Sequence, residues 1–245
     1  MRVHLAALGI PYERVPGVDG AALDEVTFGQ YTRENHYYKP LRRGEVGCYL
    51  SHNRALQCFL DSNARYALIL EDDATLDSDA CTVITTALAL RDTDPEPLRQ
   101  WDVLKLNRPR HRRIELAPLD THFLVEYGLS VPATTTAAIW TRAGAERWLA
   151  AFSGCPRPID CDLQFPWDNG LTILSIHPPI ARPEDVATTL GAAQASTRNP
   201  WPKLRYELAR LWPRLRHFAR RYGWTTLLRW LWRKHQTFPV PGTPR

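Results

Sequence analysis

Three consecutive carboxylates, Glu71-Asp72-Asp73, directly follow the apolar run Tyr66-Ala67-Leu68-Ile69-Leu70. The run reads as a short buried strand. Three adjacent negative charges at the end of a buried segment call for something positive to meet them. In an open α/β sheet that position, just beyond a strand's carboxyl end, is where ligands collect. A hard divalent cation, Mg²⁺ or Mn²⁺, takes oxygen ligands of this kind together with substrate phosphates. The plainer alternative is a helix start with acids on its dipole; the position after a buried strand favours the metal. A second acidic pair, Asp160 and Asp162, follows Pro156 and Pro158. Proline disfavours helix, and in an extended segment residues two apart point to one face. Ser51-His52 is a third constellation. Adjacent positions on a helix do not face each other, so the pair cannot act as a nucleophile and its base, and hydrolase chemistry from this pair alone is rejected.

The elements that position these groups are legible in outline. Gly44 to about Leu60 reads as a helix with Tyr49, Leu56, Phe59 and Leu60 as its apolar stripe. Cys81 to Leu90 suits a second helix, and Trp101-Asp102-Val103-Leu104-Lys105-Leu106 a second strand. The loop after it is crowded with Arg108, Arg110, His111, Arg112 and Arg113, either solvated or facing phosphate. Thr134 to Trp140 reads as a third strand. Thr141 is then an N-cap for a helix whose Ala145, Trp148, Leu149 and Phe152 recur at helical spacing. Asp168-Asn169-Gly170 is a turn, and Leu171 to Ile176 a fourth strand closed by Pro178-Pro179. Residues 21–43 read as irregular and 181–200 as loop or linker.

At 245 residues, 44% hydrophobic and 23% charged, the chain is globular. The five cysteines lack paired metal-ligand spacing, and with no secretory signal and no membrane-length apolar stretch the expectation is a cytoplasmic protein with reduced thiols. The net charge of +5 is unevenly placed. Lys203 to Lys234 holds ten Lys/Arg against Glu207 alone, a surplus of nine that leaves the rest of the chain at −4. In that tail Leu204, Leu208, Leu211, Trp212, Leu215, Phe218 and Tyr222 share one helical face, kinked at Pro213. With Leu227, Leu228, Trp230, Leu231 and Trp232 beyond it, the pattern is that of an interfacial helix on an anionic membrane. The plainer reading is a helix packed on the domain. A stripe this apolar would be wasted on phosphates, so nucleic acid is not the expected partner.

Gly17-Val18-Asp19-Gly20, Gly44-Glu45-Val46-Gly47-Cys48-Tyr49-Leu50-Ser51-His52 and Leu68-Ile69-Leu70-Glu71-Asp72-Asp73-Ala74 together resemble glycosyltransferase family 25. Arg142-Ala143-Gly144-Ala145-Glu146-Arg147 and Pro158-Ile159-Asp160-Cys161-Asp162-Leu163 continue the likeness in order, over residues 2–185. The resemblance implies an α/β fold of GT-A type, related to doubly wound sheets, and an inverting, metal-dependent hexosyltransferase. Its donor would be a UDP-sugar, UDP-galactose above all, and its acceptor a lipooligosaccharide or LPS core. It implies Asp73 and then Glu71 as ligands of Mn²⁺ or Mg²⁺, with Asp72 of the same triplet binding the nucleotide-sugar. Asp19, Ser51 and His52 belong to the nucleotide-sugar pocket on the same motifs, and Lys105 and Asn107, following the second strand, can reach it. Inversion requires a carboxylate to deprotonate the acceptor hydroxyl; Asp162 is preferred over Asp160.

The domain plan is thus a transferase domain over 1–185, a linker over 186–201, a basic helical tail over 202–238 and a disordered end over 239–245. The tail would hold the enzyme peripherally on the inner face of the cytoplasmic membrane. Family members open with a strand and an Asn-Leu…Arg segment that this chain does not show before its first helix. The alternative expectation is therefore a truncated, silent relative that binds membrane or a partner transferase. A metal-dependent phosphohydrolase is a third reading.

Overall fold

A computed structural model describes residues 2–107, 112–184, 199–232 and 237–239. Arg108, Arg110 and His111 of the basic loop, most of the expected linker, Arg233, Lys234 and residues 240–245 lie outside the described residues. The helices are α1 (Arg2–Ala7), α2 (Glu25–Thr32), α3 (Arg43–Asp61), α4 (Ala80–Thr93), α5 (Arg142–Ala150), α6 (Ile159–Asp162), α7 (Pro166–Asn169), α8 (Trp201–Tyr222) and α9 (Trp224–Trp232). The strands are β1 (Tyr66–Leu70), β2 (Ala74–Leu76), β3 (Val103–Lys105), β4 (Arg113–Leu119), β5 (His122–Glu126), β6 (Ala137–Thr141), β7 (Ile173–His177), β8 (Ala181–Pro183) and β9 (Thr237–Pro239).

Seven strands form one sheet in the order β1-β6-β3-β7-β5-β4-β9, and β2 pairs with β8 in a separate ribbon. Alternation along the strands assigns side chains to two faces, as the two-residue period requires. Ala67, Ile69, Val103, Ala138, Trp140 and Ile173 face a cluster closed by α3 and α5. Leu68, Leu70, Leu104, Ala137, Ile139, Leu174 and Ile176 face the other, closed by α4, α8 and α9. The result is a three-layer α/β/α arrangement. Each fully buried aliphatic side chain in these layers contributes about 1.5–3 kcal/mol of transfer free energy.

Several expectations are corrected. A doubly wound sheet is mainly parallel, but here only β3–β7 and β4–β9 pair in parallel; the other neighbours are antiparallel. Tyr66–Leu70 is a strand, yet at the edge of the sheet and half-buried throughout. The strand expected from Thr134 begins at Ala137. Asp160 and Asp162 sit in a helical turn, not an extended segment, because Pro158 occupies the N-cap, where proline's missing N–H costs nothing. The stretch 21–43 contains α2, capped by Asp24, whose carboxylate accepts from both the backbone N–H and the hydroxyl of Thr27. The β4–β5 hairpin turns through Asp120 at φ +61, and β8 occupies part of the presumed loop.

The C-terminal helices belong to the same core. Phe218, Ala219, Tyr222, Leu227 and Trp230 are buried in the α4-side cluster. Gly128, at φ +62, lies beneath them: a Cβ there would be 2.7 Å from the Trp230 ring and 3.0 Å from that of Phe218. Arg221 pairs with buried Glu126 at 2.6 Å, and Tyr222 donates to the same carboxylate. Arg210 is buried too, donating to Gln164 Oε1 at 2.9 Å and lying over the Phe165 ring. The helix continues through Pro213. Its docking edge is therefore the arginine and aromatic side, while Leu204, Leu208, Leu211 and Trp212 stay exposed. The expected single stripe is split: its C-terminal end turns into the core and the rest faces outward. Among the described residues no helix is long and apolar enough to cross a membrane.

Candidate active site

Strands β1, β3 and β7 run in one direction, since β6 is antiparallel to both β1 and β3, and β7 is parallel to β3. Their carboxyl ends share one edge of the sheet, with the segment leading into β6 between them. The acidic triplet opens a tight turn there: Ala74 N–H donates to the Glu71 carbonyl at 3.0 Å, and Glu71 N–H to the Thr136 carbonyl at 2.9 Å. Asp72 is exposed at the bend; Glu71 and Asp73 are half-buried.

Glu71 Oε1 faces His52 Nε2 at 3.4 Å and accepts from the Thr135 hydroxyl. Burial pushes this carboxyl up, but the His52 and Thr135 bonds outweigh it and hold the group below its ordinary range. Asp73 moves the other way. Burial raises it first, then the negative charges of Glu71, Asp72 and Glu184. Its Oδ1 is buried without a hydrogen-bond partner among the described residues.

Helix α3 supplies the opposite wall. Glu45 closes its first turn by accepting from Arg42 N–H at 2.8 Å. The segment Gly17–Gly20 packs directly on the helix at Gly47, where a Cβ would stand 2.7 Å from both Gly20 N and Val18 O. Ser51 completes that join, accepting from Val18 N–H and donating to the Gly47 carbonyl, each at 2.7 Å. Asp19 is exposed and accepts from Ala21 N–H at 2.9 Å, capping the short turn that follows. Ser51 and Asp19 thus shape the wall. One helical turn apart, Cys48 and His52 face Glu71: the three donor atoms lie within 4.8 Å of one another. The Cys48 thiol is pushed up to about 12 by burial and then by Glu71, Asp160 and Glu45. Glu71 and Asp160, distant in sequence, therefore act on the same sulfur.

The downstream pair separates. Asp162 is buried, bonded to Arg157 Nη1 at 2.5 Å and accepting from the Tyr49 hydroxyl at 2.8 Å. Burial raises its pKa while Arg157 and Tyr49 oppose the shift. Both of its oxygens are engaged: Oδ2 ties α6 to Tyr49 of α3, and Oδ1 holds Arg157 just before α6. Asp160 is half-buried and accepts from Cys161 N–H at 2.8 Å. Lys105 is buried, with Nζ donating to the Pro132 and Thr134 carbonyls at 2.7 Å. Asn107 donates to Thr134 Oγ1 at 2.8 Å, and its Oδ1 is buried without a hydrogen-bond partner among the described residues. These two hold the 132–136 segment, which in turn holds Glu71.

The sequence reading did not single out Thr135, Tyr49 or Arg157. Three threonines immediately before an apolar strand were the available signal for the first. The i, i+4 placement of Cys48 and His52 marked a shared helical face. Tyr49 was read as apolar stripe only, and nothing local betrays that Arg157 meets Asp162.

Comparison with known proteins adds a second line. Residues 1–122, about half of the chain, match the family model described as glycosyltransferase family 25 (LPS biosynthesis protein). A glycosyltransferase 25 family member of Anopheles gambiae is 27% identical over 157 residues, 61% of this chain and 26% of that relative. Another, of Aedes aegypti, is 27% identical over 110 residues, 42% of this chain and 18% of the relative. The chain thus matches about a quarter of these relatives' length or less. The matched region carries the α3 wall, the acidic turn and the strand that ends at Lys105: the chain belongs to glycosyltransferase family 25.

Proposed function

We propose that this glycosyltransferase moves a hexose, galactose from UDP-galactose in the first instance, onto a lipooligosaccharide or LPS core, with inversion at the anomeric carbon and a GT-A-type site. The observation that carries the reading is that Glu71 and Asp160 both act on Cys48 of α3, while Asp73 shares the acidic turn with Glu71 at the carboxyl end of β1.

A hard divalent cation fits the acidic turn. Asp73 presents a buried oxygen without a hydrogen-bond partner among the described residues, and its carboxyl is raised by burial first and then by the like charges of Glu71, Asp72 and Glu184. Those are the marks of a carboxylate group short of positive charge. Asp73 and Glu71 would hold Mn²⁺ or Mg²⁺, which supplies charge neutralisation for a departing diphosphate. Asp72, exposed at the bend, is placed to meet the sugar nucleotide. His52 and Thr135 orient Glu71, and Lys105 and Asn107 brace the threonine segment from below. Asp160 is the stronger choice for the base that takes the acceptor hydroxyl's proton, because Asp162 is committed to Arg157 and Tyr49.

The acceptor's membrane anchorage fits the outward face of α8 and α9. Trp201, Leu204, Leu208, Leu211, Trp212, Trp224, Leu228, Leu231 and Trp232 are 45–92% exposed. Trp212 and Trp224 bring the two helices into one patch, ring centroids 6.1 Å apart, and Arg205, Arg216, Arg220 and Arg229 of the same two helices are exposed. Basic and apolar groups so arranged suit an anionic leaflet.

Transfer of labelled hexose from UDP-sugar to a core acceptor in Mn²⁺ is the test. Asp73→Ala should abolish it and Asp160→Asn should lower kcat about 100-fold or more. Full metal-dependent transfer by Asp73→Ala would sink the assignment. If calorimetry with UDP-sugar and Mn²⁺ gives no heat while anionic vesicles still bind, the chain is the silent binding protein instead. Phosphate release with no acceptor present would mark a phosphohydrolase. Trp212→Ser with Leu208→Ser should weaken co-sedimentation with anionic vesicles; unchanged pelleting removes the membrane reading.

A further inference from the structure

We infer that Cys48, His52 and Glu71 form a binding site for a borderline divalent ion of the Zn²⁺ or Co²⁺ class, distinct from the oxygen-only site at Asp73. The donor set is one sulfur, one imidazole nitrogen and one carboxylate oxygen, all within 4.8 Å of one another. In a tetrahedral zinc site the bond lengths place neighbouring donors roughly 3.5 Å apart. Two of the three come from one helix at i and i+4, so their spacing is fixed by α3 and the set closes by side-chain rotation. The third is oriented independently: Thr135 donates to the same Glu71 oxygen that faces His52. A hydrogen-bonded carboxylate and a rigid backbone are what a metal site needs around its ligands.

Chemistry separates this site from the cation proposed above. Mg²⁺ and Mn²⁺ favour oxygen donors, whereas thiolate and imidazole favour Zn²⁺ and its neighbours. Binding displaces the Cys48 proton to solvent and forms a sulfur–metal bond, with no change of oxidation state. Three protein donors leave the fourth position to water. Glu71 belongs to both donor sets, so an ion held by Cys48 and His52 withdraws it from the acidic turn. The site therefore makes zinc an inhibitor of the proposed transferase, although the site itself does not rest on that activity.

The experiment is titration of the full chain with Co²⁺ under oxygen-free, chelator-free conditions, followed by visible and near-ultraviolet absorption. One ion per chain is expected, with tetrahedral ligand-field bands and a thiolate-to-cobalt charge-transfer band. Zn²⁺ should displace it stoichiometrically and Mg²⁺ should not. Cys48→Ser should remove the charge-transfer band, while Cys58→Ser and Cys81→Ser keep it. Thr135→Val should weaken binding about 10–100-fold through loss of the Glu71 orientation. Circular dichroism of each variant separates loss of the site from loss of fold. A charge-transfer band that survives Cys48→Ser, or none at all in the parent protein, overturns the inference.

Discussion

Replacing Asp162 with alanine separates a structural from a chemical role for this carboxylate. In the folded chain it is bonded to Arg157 at 2.5 Å and to the Tyr49 hydroxyl at 2.8 Å, and both Asp162 and Arg157 are 7% exposed. Removing one partner of a buried ion pair costs about 3–5 kcal/mol, because the remaining charge stays desolvated. Arg157 keeps Asp168 at 3.0 Å and the Phe165 ring at 3.6 Å. Asp168 is half-exposed, so that contact offsets only part of the loss. The expected cost is about 3 kcal/mol, which for a chain of this size lowers Tm by about 6–12 °C. Thermal and urea unfolding followed by circular dichroism read both numbers. Asp162→Asn should cost less, since its amide oxygen still accepts from Tyr49. With Arg157→Met as the second arm of a double-mutant cycle, the combined loss should fall short of the sum of the single losses. Should Asp162→Ala unfold like the parent while hexose transfer disappears, Asp162 is the base and the structural assignment fails.

Other perturbations test separate parts of the fold. Burial, reinforced by Arg221 and Arg220, holds His217 below its ordinary 6.5. The unfolded chain therefore takes up this proton first, and stability should fall as pH drops below about 6.5; His217→Asn should flatten that limb of a Tm–pH profile. Gly47→Ala drives a methyl against Gly20 N and Val18 O, and should cost about 1–3 kcal/mol in chemical denaturation. Arg221→Met strands buried Glu126, whose carboxyl burial already pushes up. The loss of about 3 kcal/mol expected at neutral pH should shrink as the solution is acidified, because a carboxyl that burial raises takes up its proton ahead of an exposed one and no longer needs the guanidinium.

Local signals carried the elements that hold the acidic turn. The strand Tyr66–Leu70, the helix from Arg43, the Thr141 cap and the β7 run were each legible because period and capping are properties of neighbours in sequence. Strand direction was not, since nothing within β5 or β6 records which way its partner runs. The Asp160–Asp162 segment misled for a related reason: proline argues against a helix interior but is tolerated at its start. The convergence of Cys48, Glu71 and Asp160 depends on three elements meeting and leaves no local trace. The inward turn of two α8 arginines has no local signal either: Arg210 meets half-buried Gln164 and Arg221 meets buried Glu126, both distant in sequence.

The seat of Trp230 and Phe218 over Gly128 makes the last two helices part of the machine they would address to a surface. An enzyme on a flexible leash samples many heights and tilts above its anchor; a rigid mount allows one. Which glycan hydroxyl meets Asp160 would then be decided partly by geometry: a core sugar protruding the right distance is reached, and shorter or longer ones are passed over. Lengthening the acceptor by one residue should change turnover far more than it changes binding of the donor.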